Sequence, residues 1–218
     1  MFGTRILRFA LLSFLTMNCG SILAAVPSLA AEPGIYRVSG IAAGDVLNIR
    51  EQPGADAPIA DSLAPGAHRV EVLEVRTVDS TEWGRILDAD ANGWVAMRFL
   101  VPEAVQTIPG TQIPVGLKCG GTEPFWDVKL GTGGIEFSAI AANSISLPVT
   151  VATTAIGRNN RFALVASEGN RRMTAVLAKG ETCSDGMSDR DYGWRVDLLI
   201  EGDAARSYEG CCRLPVAK

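Results

Sequence analysis

The 218-residue chain is predicted to be all-β, with a small N-terminal β-barrel and a second, disulfide-stapled antiparallel β domain. Three observations predict this. Short segments alternate apolar and polar residues at period two, Pro-Gly and Gly-rich turns separate them, and no long segment repeats apolar residues at helical spacing. The cysteines of the second half predict the staples, because an even set reads as a disulfide framework in an oxidising compartment.

The elements follow in chain order. Residues 1–31 read as a signal peptide. Arg5 and Arg8 give a positive start, Phe9 to Leu15 an apolar run, and Ser28-Leu29-Ala30 or Leu29-Ala30-Ala31 a small-residue cleavage site. Cys19 raises the possibility of lipid attachment, but Asn18 stands where such sites prefer Ala or Gly, so Cys19 is expected to leave with the signal. No later segment is long and apolar enough to span a bilayer, which takes about 20 residues of helix. The expected location is therefore periplasmic or secreted.

Residues 32–102 form the first predicted domain. Strands are expected at 35–38, 46–50, 58–63, 69–75 and 83–87, with a last one opening at Gly93-Trp94-Val95. Gln52-Pro53-Gly54 and Ala64-Pro65-Gly66 are turn signals. Residues 103–116 contain Pro109, Gly110, Pro114 and Gly116 without a period of their own, and are read as a linker. Residues 117–218 form the second domain. There Phe125 to Leu130 and Ile135 to Phe137 flank the loop Gly131-Thr132-Gly133-Gly134 as a hairpin, and β-branched segments continue to Ile200.

The first domain resembles the bacterial Src homology 3 domains. The likeness rests on Leu47-Asn48-Ile49-Arg50, Leu63-Ala64-Pro65-Gly66, Trp83-Gly84-Arg85-Ile86 and Gly93-Trp94-Val95, in that order and spacing. The resemblance implies a small β-barrel used as an accessory module in envelope proteins, with peptidoglycan or an envelope protein as the expected partner. Glu51-Gln52 after Arg50 departs from the pattern, and the domain is acidic. Three phrases of the second domain resemble a family of exported proteins that supplies no mechanism: Cys119-Gly120-Gly121-Thr122-Glu123-Pro124-Phe125-Trp126, then Cys183-Ser184-Asp185-Gly186-Met187-Ser188-Asp189, then Gly210-Cys211-Cys212. A looser likeness to small secreted barrels, lysozyme inhibitors among them, is analogy.

Charge narrows the partners. Residues 32–103 hold six arginines against twelve acids, so nucleic acid, which needs a basic face, is excluded as a partner. The cysteines expected in disulfides are Cys119, Cys183, Cys211 and Cys212. Bridge geometry disfavours a bond between the neighbours Cys211 and Cys212, so Cys119 and Cys183 are each expected to pair with one of them. Which takes which stays open.

No catalytic residues, metal or cofactor are expected. His68 is the only histidine and sits by a turn, away from any serine or cysteine motif, so neither a triad nor a zinc site can be assembled. The loop Asp185 to Asp191 lacks the ligand order of a calcium site and reads as an anchored turn. The alternative is a small periplasmic hydrolase or hydrolase inhibitor acting through the second domain, with Glu123 beside Asp185 or Asp189 as a carboxylate pair. The binding candidates are Trp83, Trp94 and Trp126, with Asn48, Arg50, Glu123, Asp185 and Asp189. Trp83 and Trp126, in alternating strands, are expected in cores. Trp94 follows a turn glycine and fits a core or a binding surface equally.

Overall fold

The computed structural model describes residues 31–87, 92–140 and 143–216. The expected signal peptide through Ala30, Cys19 within it, and the centre of the polar turn at 88–92 lie outside the described residues. Residues from Ala31 onward form one compact unit that holds two β-sheets.

The first sheet contains β1 (Gly34–Val38), β2 (Leu47–Arg50), β3 (Ile59–Leu63), β4 (Val70–Val78), β5 (Thr81–Leu87), β6 (Asn92–Ala96) and β7 (Leu100–Pro102). Its order is β3-β2-β6-β5-β4-β1-β7. Period-two burial drives the fold. Leu47, Ile49, Val70, Val72, Ile86 and Val95 point into one core, while Asn48, Arg50 and Arg85 point out. Register shifts in the β2–β3 and β4–β5 pairs bend the sheet into a nearly closed barrel.

The second sheet contains β8 (Lys118–Thr122), β9 (Phe125–Leu130), β10 (Ile135–Ala139), β11 (Ile145–Leu147), β12 (Val149–Thr154), β13 (Arg161–Glu168), β14 (Arg171–Ser184), β15 (Asp191–Glu201) and β16 (Arg206–Arg213). All its pairs are antiparallel, in the order β11-β10-β9-β8-β16-β15-β14-β13-β12. β11 and β12 are one strand interrupted by Pro148. Its first part pairs with β10 and its second with β13, so it brings the two ends of the sheet together. The interior is filled by Trp126, Phe137, Phe162, Leu164, Met173 and Trp194.

Two disulfides staple this sheet. Cys119 bonds Cys212 and Cys183 bonds Cys211, one of the two connectivities left open by the sequence. The first is a cross-strand bridge between β8 and β16. It closes a loop of 93 residues, worth about 4–5 kcal/mol of unfolded-chain entropy in the loop-closure account.

The segment expected as a linker is folded. Ile108 and Ile113 are buried in the second core, and Thr107 bridges Pro114 across the Pro109-Gly110 turn. The turn signals mark a small hairpin because an isoleucine on either side of them finds apolar cover. Gly110 takes a left-handed φ of 81° there, with the Ala152 carbonyl close against it.

The sheets also touch directly. Ile35 of β1 packs on the second core. Arg85 Nη1 lies 2.6 Å from Asp191 Oδ2. The Asn92 side-chain amide pairs with the Asp191 backbone as a neighbouring strand would, accepting from its N–H at 2.6 Å and donating to its carbonyl at 3.1 Å.

Candidate functional site

The outer face of the first barrel follows from its register. Arg50 of β2 stands opposite Trp94 of β6, and Trp94 opposite Arg85 of β5. Arg85 stands opposite Glu74 of β4. The neighbouring row is Ala96, Trp83 and Arg76. Paired residues share a face, so these side chains form one surface, with Asn48 two residues from Arg50 on the same side.

Trp94 is not an open platform. It is 7% exposed, in a small cluster with Trp83 and Ala96. The Arg76 guanidinium lies 4.8 Å from the Trp94 ring centroid, where it gains cation–π attraction and covers the indole. Trp83 is buried in the same cluster, and its Nε1 has no hydrogen-bond partner. Glu74 binds Arg76 at 2.7 Å and Arg85 at 3.0 Å, and these contacts hold its carboxyl below the usual range, the Arg76 hydrogen bond most of all. Arg50 donates through Nη1 to the Ala57 carbonyl at 2.5 Å and ties β2 to the following loop.

The three phrases of the second half converge. Thr122, Phe125, Trp126, Asp185, Tyr192 and Cys211 are among the residues that line one shallow cavity of about 320 Å³. Thr122 donates its hydroxyl to the Asp185 carbonyl at 3.1 Å, which sets the two turns side by side. The glycines of the phrases are packing residues. A Cβ at Gly210 would collide with the Gly120 carbonyl, and one at Gly121 would collide with the Trp126 indole. Trp126 itself points inward against Phe137 and Tyr208, so it fills the core, as expected of an alternating strand.

Asp185 is saturated by its own loop. The N–H groups of Met187 and Ser188 donate to Oδ1 at 3.0 and 2.8 Å. The hydroxyls of Ser188 and Tyr192 donate to Oδ2 at 2.8 and 3.0 Å. Partial burial works to raise its pKa, but these four donors together outweigh it and hold the carboxyl at about 2. Glu123 is exposed in the turn before β9, joined to Pro124 by a cis peptide bond, and Asp189 is exposed in the hairpin loop. His68 is exposed and lies 3.2 Å from Glu103. Among the described residues, no group of three or more His, Cys, Asp and Glu is placed to hold a metal ion.

Two features lie beyond the sequence-predicted candidates. One is the Arg85–Asp191 and Asn92–Asp191 clasp, which joins the barrel face to the loop of the second phrase. The other is Glu71, which β4 places between the sheets. Gly193 lies close against its carboxyl and against Leu73, and the Trp194 indole and the Leu214 N–H donate to it. Leu73, an apolar residue at an outward position, is the one hint that this side of β4 is covered.

Residues 45–101 match the family model of the bacterial SH3 domain. This part of the chain is similar to the bacterial SH3 domains. The match begins just before β2 and ends within β7, so it covers the face built by Arg50, Trp94, Arg85 and Arg76. The comparisons with curated proteins and with solved structures give no match. Among the described residues, no helix is long and apolar enough to cross a membrane.

Proposed function

We propose that the protein is an exported, non-catalytic binding module of the cell envelope, and that its SH3 barrel recognises peptidoglycan through the outer face of β2, β6, β5 and β4. The bacterial SH3 match carries this reading, and the two disulfides accord with an oxidising compartment outside the cytoplasm. The chemistry of the face supports it. Arg76, stacked on the buried Trp94, and Arg50 opposite it offer guanidinium donors to carboxylates and amides of a wall peptide.

A hydrolase working through Asp185 is the weaker reading, because a carboxyl held at about 2 is a poor proton donor at neutral pH. The second barrel is better read as a contact surface for another protein. Phe125 and Met187 stand 50% and 64% exposed in its phrase-bearing turns.

Co-sedimentation of the chain from Ala31 to Lys218 with purified sacculi tests the first reading. Saturable binding is expected, reduced by roughly tenfold when Arg50 and Arg76 are both changed to Ala, the loss of about one or two charged hydrogen bonds. Absence of pelleting at any sacculus concentration contradicts it.

A further inference from the structure

A cleft of about 480 Å³ lies between the SH3 barrel and the end of the second sheet. Leu63, Ala67 and Leu87 of the barrel face Leu214, Pro215 and Val216 across it. Its polar lining includes Glu71, Asp61 and Arg213. The volume suits an amino acid or short peptide, and a mostly apolar wall with a few polar groups is the usual make-up of a small-ligand site.

Glu71 is the unusual member. Its Oε2 is buried and has no hydrogen-bond partner. Burial is the largest influence on its pKa and drives it up to about 7, against the opposing pull of the Leu214 N–H, the Trp194 indole N–H and Lys179. An ionised carboxylate left one donor short inside a low-dielectric contact is costly, and a ligand that brings both a donor and a positive charge removes the deficit. Calcium or magnesium needs about six oxygen ligands, more than Glu71 and Asp61 supply.

We propose that this cleft binds an aliphatic ammonium group, carried on an amino acid or a short peptide, with the ammonium at Glu71 and Asp61 and the aliphatic stem along Leu63, Leu87 and Leu214. Arg213, on the same cleft, suits a carboxylate of the same ligand. The charged groups around the ammonium position are Asp61 from β3, Lys179 from β14 and Arg213 from β16. The site is separate from the Trp94 face and stands whether or not that face binds sacculi.

Titration of the chain from Ala31 to Lys218 with Nα-acetyl-lysine amide, against Nα-acetyl-norleucine amide, which keeps the aliphatic stem and lacks the ammonium, tests the proposal. Near pH 8 the lysine compound should bind roughly tenfold more tightly, and the advantage should shrink as pH falls below about 7 and Glu71 takes up a proton. Glu71→Gln, close in shape and already neutral, should abolish the preference at both pH values. Ser62→Trp, at an exposed position lining the cleft, should block both compounds without entering either core. Equal affinity for the two compounds, binding of neither, or a preference that survives Glu71→Gln would each overturn the proposal.

Discussion

Two carboxyls show how one residue type serves opposite ends here. Asp185 gathers four donors and is held at about 2, whereas Glu71 is buried between sheets and pushed up to about 7. The consequences for stability have opposite signs. The folded chain binds a proton at Asp185 less readily than the unfolded chain does. That contribution is complete above about pH 4 and is lost as pH falls through about 2. At Glu71 the folded chain keeps a proton that the unfolded chain releases above about pH 4.5. Stability therefore falls as pH rises from there, and levels off above about 7, by at most about 3 kcal/mol. Urea unfolding near pH 5 and pH 8 should show this loss in the native chain and little of it in Glu71→Gln. Identical pH dependence in the two would remove Glu71 from the account. Neither shift was legible in the sequence. Glu71 and Glu74 look alike on an alternating strand, and only the packing of Gly193 and Trp194 against Glu71 sets them apart.

At the scale of elements, the strands and turns of the barrel were largely readable, because period-two patterning and Pro-Gly turns are local. The segment 103–116 was not. Proline and glycine mark a turn, but whether a turn joins two bodies or closes a hairpin depends on what covers Ile108 and Ile113, and that is a tertiary fact. The same limit applies to Trp94. A tryptophan after a turn glycine could face either way, and it is the stacking of Arg76, nearly twenty positions upstream, that covers it. The phrases of the second half stood out for their composition, and the structure explains part of it by close approach of β8 to β16. Gly210→Ala would press a methyl group onto the Gly120 carbonyl and within 2.8 Å of Trp126. Backbone cannot yield as a side-chain tip can, so a loss of about 2 kcal/mol is expected, or roughly 4–8 °C in the unfolding midpoint. A midpoint unchanged within 1 °C or so would mean that β16 shifts freely on β8, against the paired register of Cys119 and Cys212.

For the molecule as a whole, the fold class and the kinship of the first barrel follow from short-range patterns, whereas the relation between the barrels does not. Arg85, Asn92 and Asp191 clasp the SH3 face to the hairpin loop that carries Asp185, while Glu71 and the 213–216 segment border a cleft on the seam. The outer face of the first barrel is thereby tied physically to the second sheet. The central claim is that the face of Arg50, Trp94 and Arg76 meets the envelope ligand. Hydrogen–deuterium exchange of the chain from Ala31 to Lys218, free and bound to sacculi, addresses it most directly. The account predicts slowed exchange in β2, β4, β5 and β6 and in the loop after Arg50. Slowed exchange confined to the second sheet would contradict it and place recognition on the surface formed by the three phrases.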